Sequence, residues 1–340
     1  TNFTRSLILG HQTTGTLDGA NDNTAVGYAA MDAITSGTVN TAVGSTALSA
    51  NTTAASNTAI GYGALTTATT GGLNTAVGRS ALLDLTSGTP NVAVGAYAGQ
   101  SVTTGASNTF IGYQAGDATT TADGNTAVGR DSLVANTTGD QNTAVGAISL
   151  DANTTGRNIV AVGYNALGAN TTGASNVAVG MNALDANTTA SYNTAVGTDA
   201  LTANTTGTQN TIVGKSAGAA NTTGGYNVAM GTDTFSSNTE GANNTAIGWQ
   251  TMAGNTTGGE NVAVGKGALD GGTTCEGNVA IGTDAMGGAV AGQGYNTAVG
   301  YNAMLVSTSA TGTTAIGNQS LDALTTGDNN TAVGAGSLGV

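Results

Sequence analysis

The chain has 340 residues, of which 55 are glycine, one is proline and one is cysteine, and its formal net charge is −13 at pH 7. Only 7% of the residues are charged and no basic cluster occurs, so nucleic acid and anionic membranes are poor candidates for partners. One cysteine excludes an intrachain disulfide, and no apolar run approaches the ~20 residues that a membrane span needs.

One five-residue sequence, Asn-Thr-Ala-Val-Gly or a close variant, recurs along the chain from Gly10 to Gly334. We call it the box and number positions from its glycine, negative before it and positive after it. Consecutive box glycines are 17 residues apart, except for one step of 18 residues between Gly282 and Gly300. This fixed period predicts about twenty solenoid coils that form a single repeat domain over residues 1–340, with no separate capping or catalytic domain.

The box itself predicts a short β-strand. Position −1 is aliphatic or Met in every unit, position −3 is Thr or Val in all but one, and position −2 is Ala in all but three. β-branched residues that alternate with a small residue favour a strand with two different faces. We expect the Val or Ile at position −1 to fill the core and the Ala at position −2 to form a contact face for another chain. The alternative is that alanine simply fits a thin, two-layered coil.

The rest of each coil predicts a second strand and two turns. Positions +3 and +4 prefer Ala and then Leu or Met, which indicates a second segment that faces the core. Between the segments, Ala-Asn-Thr-Thr-Gly is typical of a turn in which Asn and Gly supply positive φ. A helical alternative is disfavoured because Gly, Asn and Thr make up nearly half of the chain and are weaker helix formers than Ala by up to ~1 kcal/mol. The expected fold is all-β, a parallel β-solenoid or β-roll.

Asparagine occupies position −4 in seventeen of the twenty units, and the exceptions are Ser6, Ile159 and Thr313. Identical amides that stack from coil to coil can form a hydrogen-bonded ladder. We therefore predict a structural and not a catalytic role for these asparagines.

The box followed by x-x-Ala-Leu resembles the head repeats of trimeric autotransporter adhesins and related repeat arrays in phage tail fibres. The resemblance extends over all 340 residues. In adhesin heads each chain winds a left-handed parallel β-roll, and three rolls pack around one axis. The resemblance thus implies left-handed coils, a homotrimeric rod, and an extracellular location on a virion or cell surface.

Position +1 is the most variable and is the candidate binding site. Its aromatic members form a predicted surface-contact stripe of Tyr28, Tyr62, Tyr113, Tyr164, Trp249 and Tyr301. The cationic members of the same position are Arg79, Arg130, Lys215 and Lys266, with His11 in the same phase. Exposed aromatic rings beside cations could bind a cell-surface glycan or another polymer by stacking. The alternative is a solvated edge that tolerates any side chain.

Other candidates for chemistry are weaker. Aspartates recur at positions +2 and +5, and carboxylates in adjacent coils could share Ca²⁺, but the calcium-binding Gly-Gly-x-Gly-x-Asp repeat is absent. We expect them to solubilise the surface. Cys275 is expected to be an exposed thiol in a turn, and the extra residue of the long coil is expected in the turn from Gly292 to Tyr295. No catalytic residue, metal or cofactor is predicted. The aspartates are Asp131, Asp199, Asp233 and Asp284 at position +2, and Asp32, Asp117, Asp151, Asp185, Asp270 and Asp322 at position +5.

These features favour a structural, non-enzymatic function: the shaft or head of an extracellular fibre that provides reach and presents a surface, with copies of itself as partners. An alternative is a filament formed by end-to-end stacking of coils, because the chain begins and ends within a coil and has no polar cap. An ice-binding solenoid is a further alternative. It needs outward threonines two residues apart, whereas the threonines of Asn-Thr-Thr are adjacent.

Overall fold

The computed structural model describes residues 6–10, 18–288 and 294–338, and it divides the chain into two compact units, Thr1–Thr172 and Gly173–Val340. Each unit contains ten strands of three residues. The strands of the first unit are β1 Leu7–Leu9, β2 Thr24–Val26, β3 Thr41–Val43, β4 Thr58–Ile60, β5 Thr75–Val77, β6 Val92–Val94, β7 Thr109–Ile111, β8 Thr126–Val128, β9 Thr143–Val145 and β10 Val160–Val162. Those of the second are β11 Val177–Val179, β12 Thr194–Val196, β13 Thr211–Val213, β14 Val228–Met230, β15 Thr245–Ile247, β16 Val262–Val264, β17 Val279–Ile281, β18 Thr297–Val299, β19 Thr314–Ile316 and β20 Thr331–Val333.

Within each unit every strand pairs in parallel with the strand of the neighbouring coil. The register places equal positions of the box side by side, as in Ala42 beside Ala59 in the first unit and Ala195 beside Ile212 in the second. Equal positions stack in this way because the coils have the same length, except for the one longer coil described below. The all-β parallel solenoid of 17-residue coils predicted from the period is therefore confirmed in both units.

The two faces of the box strand are the reverse of those predicted. The Ala at position −2 is buried, as in Ala42, which is 0% exposed, whereas Val43 at position −1 is 38% exposed. The predicted valine core and alanine contact face are therefore wrong. The cross-section of a coil is narrow, and the inward side of the strand meets the buried Leu and Ala of positions +4 and +3, such as Leu48 and Ala47. Little room remains for a larger side chain, which agrees with the alternative of a thin coil.

Two coils demonstrate this limit on volume. Phe110 stands at position −2 in place of alanine and is fully buried. The residues at position +4 on either side of it are Gly99 and Gly116 in place of leucine, and a Cβ at Gly99 would lie 2.7 Å from Phe110 Cδ2. In the second unit Ile212 is similarly paired with Gly218. A larger inward residue from the strand is thus offset by the loss of the facing side chain.

The second segment of each coil is not a strand, contrary to the prediction. Residues at positions +2 and +4 have positive φ, for example Thr46 at 56° and Leu48 at 53°. This alternation lets consecutive residues at positions +3 and +4 both point inward, which a strand cannot do. The segment still links coils, because the Leu48 N–H donates to the carbonyl of Ala64 at 2.9 Å. Its φ values are not readable from the Ala-Leu pattern, which is typical of many inward-facing segments.

The predicted ladder at position −4 is confirmed. Asn40 is buried, and its Oδ1 accepts the backbone N–H of Asn57 in the next coil at 2.9 Å. Its Nδ2 donates to the carbonyl of Ala54 at 2.9 Å. The same arrangement recurs in the second unit, where Asn193 Oδ1 accepts the N–H of Asn210 at 3.0 Å. The amides of Asn40 and Asn193 therefore satisfy backbone groups of two successive coils that would otherwise be buried without a partner.

The Asn of Asn-Thr-Thr forms a second buried ladder, and its predicted role in supplying positive φ to a turn is wrong. Asn153 is buried, and its Nδ2 donates to Asn136 Oδ1 at 2.9 Å and to the Gly156 carbonyl at 3.1 Å. The positive φ of this region occurs instead at position +12, as in Gln141 at 59°. The Thr at position +8 adds a hydroxyl row, since Thr137 Oγ1 donates to the carbonyl of Thr154 at 3.0 Å.

Replacement of Asn193 by alanine should destabilise the second unit by about 2–4 kcal/mol, because the buried N–H of Asn210 and carbonyl of Gly207 each lose a partner. Chemical denaturation followed by circular dichroism measures the change. Thr206→Ala is a suitable control, since this exposed threonine lies in the same ladder region and its loss should cost less than about 0.5 kcal/mol. Equal effects of the two variants would contradict the structural role of the ladder.

The 18-residue step leaves the flanking strands in register. Thr297 pairs with Val279, and the Asn296 N–H donates to Asn278 Oδ1 at 3.0 Å across this longer step. Tyr295 keeps the ordinary hydrogen bond of position +12, since its N–H donates to the Glu276 carbonyl at 3.0 Å. The ordinary register holds up to Gly288, whose N–H donates to the Leu305 carbonyl at 2.8 Å, and again from Gly294. The extra residue was predicted in the turn from Gly292 to Tyr295, which lies in part outside the described residues.

Candidate functional site

All six aromatic residues of the predicted stripe at position +1 have exposed side chains, with fractions between 49% and 61%. Each follows a box glycine with a φ near +135°, which turns the chain sharply at the end of the strand. The first unit contributes Tyr28, Tyr62, Tyr113 and Tyr164, and the second contributes Trp249 and Tyr301. Their exposure agrees with a surface stripe, and their binding role stays a prediction.

Cations at position +1 contact aromatic rings in two places. In the first unit the guanidinium carbon of Arg79 lies 5.3 Å from the ring centre of Tyr97, and the rings of Tyr97 and Tyr113 meet edge to face at 6.0 Å and 89°. In the second unit Lys266 Nζ lies 5.3 Å from the ring centre of Trp249. An exposed cation–ring contact of this kind contributes about 0.5–1 kcal/mol.

Tyr97 belongs to the first of these clusters although it stands at position +2, so the sequence-based stripe omitted it. A second exposed aromatic group was also missed. Tyr192 and Tyr226 stand at position +12, with φ values of 64° and 59°, and Tyr295 is their equivalent in the longer coil. Gln209 Nε2 donates to the hydroxyl of Tyr226 at 3.0 Å. The signal that could have found them is their shared phase in the repeat.

The outward side of the box strands is a second candidate surface. We call it the Thr–Val face, and it comprises the side chains at positions −3 and −1. In the first unit it runs from Thr24 and Val26 to Val160 and Val162, and in the second from Val177 and Val179 to Thr331 and Val333. No charged residue occurs at either position in any coil. It is therefore a regular, uncharged and mostly β-branched surface on an acidic protein.

The aspartates do not assemble into a metal site in the described part of the chain. No group of three or more His, Cys, Asp or Glu side chains lies close enough there to hold an ion. Burial raises the pKa of Asp117, Asp151 and Asp270 above the ordinary value of 3.8, and a neighbouring carboxylate adds to each shift. For Asp151 and Asp270 that neighbour is an aspartate at position +2 of an adjacent coil, Asp131 and Asp284 respectively.

These raised pKa values predict that the protein loses stability as the pH rises. The folded state holds protons on Asp117 and Asp151 more tightly than the unfolded state, so their contribution is complete below pH ~3.8 and falls as the pH passes the higher folded pKa. The double variant Asp117→Asn and Asp151→Asn should therefore be more stable than the parent at pH 7. Denaturation at several pH values tests this, and the difference should vanish below pH ~3.8. A difference that is independent of pH would contradict it.

Two shallow grooves lie beside position +12. The first, of about 450 Å³, is lined in part by Asp123, Asp140 and Arg157. Both of its carboxylates hold backbone groups, since Asp123 Oδ1 accepts the N–H of Ala106 at 2.7 Å and Asp140 Oδ1 accepts the N–H of Asp123 at 2.9 Å. This arrangement favours a structural role for these aspartates.

The second groove, of about 440 Å³, is in the second unit and is lined in part by Glu240, Glu260 and Glu276. The three carboxylates do not lie close enough together to hold a metal ion.

The remaining sequence candidates behave differently from one another. Cys275 is fully buried, so the prediction of an exposed thiol is wrong. It occupies position +10, which points into the coil in other units as well, for example at Ala54 and Ala122. His11 lies outside the described residues.

Comparison with known proteins does not assign the chain to a family. No protein-family model matches the chain, and no curated protein matches its sequence. In the described ranges no helix is long and apolar enough to span a bilayer. The resemblance to adhesin heads and tail-fibre repeats therefore stays a prediction.

Proposed function

We propose that this protein is a structural, non-enzymatic component of an extracellular fibre on a virion or cell surface, where it provides reach and presents a binding surface. The single observation that supports this most is the regularity of the solenoid in both units, in which each described coil repeats the same strand and outward rows and most coils carry the asparagine ladder of position −4. A scaffold needs such regularity, whereas a catalytic site needs an exception to it.

We further propose that copies associate side by side as a homotrimer through the Thr–Val face. The alanine face on which this expectation first rested is buried within the coil. The Thr–Val face is a better candidate, because it lacks charge in a protein of net charge −13 and copies must avoid mutual repulsion when they associate. The left-handed winding implied by the resemblance to adhesin heads is part of the same proposal.

Sedimentation equilibrium of the full chain tests the trimer, with an expected mass about three times the 32.5 kDa of the chain. Val128→Lys and Val145→Lys place charge on the Thr–Val face and should shift the protein to monomer. Thr138→Lys places the same charge on an exposed position outside that face and should leave the trimer intact. A stable monomer of the parent protein would contradict the proposal. A series of species that lengthens with concentration would favour end-to-end stacking instead.

A second candidate function, ice binding, gains support from the same face. The outward residues of each strand are two positions apart, as an ice-binding array requires, and the pair is Thr and Val on strands such as Thr41–Val43. Neighbouring strands repeat the pair at ~4.8 Å. Thermal hysteresis of the dilute protein tests this function. Hysteresis that is lost in Val43→Lys would support it, and its absence from a monomeric preparation would rule it out.

A further inference from the structure

The cations of this protein are concentrated in one row of the repeat. Four of its six Lys and Arg residues occupy position +1, and none of its nineteen Asp and Glu residues does. Although the net charge of the chain is −13, the charged side chains at position +1 are all positive. The same position holds six of the ten Tyr and Trp residues. A ligand that is attracted to this row should have both negative charge and a surface that can stack on rings.

The cations in the row differ in how far neighbouring carboxylates neutralise them. Arg130 forms an ion pair with Asp131 at position +2. Lys215 is flanked in the adjacent coils by Asp199 and Asp233, which also stand at position +2. Each of these two cations therefore has aspartates of the protein at neighbouring positions of the repeat.

Arg79 is the exception. The residues at position +2 in its own coil and the adjoining ones are Gly63, Ser80 and Tyr97, none of which is charged. The aspartates nearest in phase, Asp84 and Asp117, stand farther along their coils at positions +6 and +5. The charge of Arg79 is thus the least compensated in the row.

The geometry around Arg79 places rings on both sides of the cation. The guanidinium carbon of Arg79 lies over the Tyr97 ring, 5.3 Å from its centre. Tyr113 contacts Tyr97 edge to face, and Tyr62 stands at position +1 of the preceding coil, at ~4.8 Å along the row. Tyr62 and Tyr113 are 61% and 49% exposed. We call these four residues, Tyr62, Arg79, Tyr97 and Tyr113, the Arg79 cluster.

We propose that the Arg79 cluster binds an acidic polysaccharide of the uronic-acid class. The N–H groups of Arg79 would donate a bidentate hydrogen bond to a sugar carboxylate. Tyr62 and Tyr113, which stand three coils or ~14 Å apart, would stack on the apolar faces of two sugar rings that are separated along the polymer. A polymer with sparse carboxylates suits a single uncompensated cation. A densely charged polymer such as single-stranded DNA would need several cations and would be repelled by the acidic remainder of the chain.

This inference gives a ligand class to the surface-presenting role proposed above, yet its test is independent of assembly. The assay is titration of the full chain with oligogalacturonate that is partly methyl-esterified, so that its free carboxylates are sparse, with dextran and single-stranded DNA of similar length as comparisons. Oligogalacturonate should bind best, its affinity should fall with added salt, and Arg79→Gln should weaken binding by at least about tenfold. Arg79→Lys keeps the charge but loses the bidentate geometry, so it should fall between the parent and Arg79→Gln.

Matched controls make the result decisive. Lys215→Gln removes a cation from the same row, and Tyr192→Ala removes an equally exposed ring outside it, so both should bind like the parent. Circular dichroism of each variant should be unchanged, since all of these side chains are at the surface. Equal loss in Lys215→Gln and Arg79→Gln would overturn the assignment to this cluster, and tighter binding of dextran or DNA would overturn the ligand class. Failure of the trimer in sedimentation would leave this measurement unaffected.

Discussion

Replacement of Gly129 by alanine is expected to unfold the first unit or to destabilise it by more than about 3 kcal/mol. Gly129 has a φ of 137°, in a region that is almost closed to residues with a side chain. A Cβ added there would also overlap the carbonyl oxygen of Gly146, the box glycine of the next coil. Both backbones are fixed by hydrogen bonds between coils, so neither can move away. Urea denaturation followed by circular dichroism measures the loss.

Gly124, in the same coil, is the matched control. It also has positive φ, at 69°, but the nearest atom to an added Cβ outside the neighbouring residues is Gln141 Cγ at 3.6 Å. Other coils place Gln or Asn at this position with similar φ. Gly124→Ala should therefore cost about 1 kcal/mol, from backbone strain alone. If the two variants were equally stable, close stacking of the box glycines would not be the constraint that keeps this position glycine.

Replacement of Phe110 by alanine should destabilise the first unit by about 3–5 kcal/mol, because it leaves a cavity between two coils. Gly116→Leu alone should be worse tolerated, since a Cβ at that position would already overlap the Phe110 ring. The triple variant Gly99→Leu, Phe110→Ala and Gly116→Leu recreates the ordinary coil, with alanine on the strand and leucine opposite. We expect it to recover most of the stability of the parent.

Denaturation midpoints of the single and triple variants form the test, because residues that share one cavity should be strongly non-additive. Ile212→Ala combined with Gly218→Leu provides the equivalent exchange in the second unit. If the triple variant were as unstable as the sum of its parts, the pairing of large and small inward residues would be incidental.

The sequence predicts the fold of this protein more completely than it predicts which side chains are inside. The period fixes the coils and the box fixes the strands, because both depend on spacing alone. The prediction of which face is buried was wrong. The alternation of Ala42 and Val43 is the same whichever residue points inward, and hydrophobicity alone favours valine as the inward residue. The deciding quantity is the width of the coil. That width is visible in the sequence only through the exceptions, since Phe110 and Ile212 each face glycine where leucine is usual.

The candidate surfaces were predicted unequally for a related reason. Tyr62 and Tyr113 are exposed as expected, since position +1 follows the turn that ends each strand. The sequence analysis did not include Tyr97 and Tyr192. Their exposure depends on positive φ at positions +2 and +12, and the residue types at those positions do not indicate a positive φ. The burial of Cys275 was missed in the same way, since position +10 was assigned to a surface turn.

The asparagine ladder also determines how a chain of this kind can change in length. Outside the one longer coil, Asn at position −4 bonds to the residue 17 positions later, as Asn40 does to Asn57, and the ladder of Asn153 and Asn136 has the same step. Removal or duplication of one whole coil would therefore join a donor to an equivalent acceptor, whereas a shift of a single residue elsewhere would place an outward valine against the core. Addition or removal of whole coils therefore preserves the packing. The number of coils can then change by recombination between near-identical units without any rearrangement of the core.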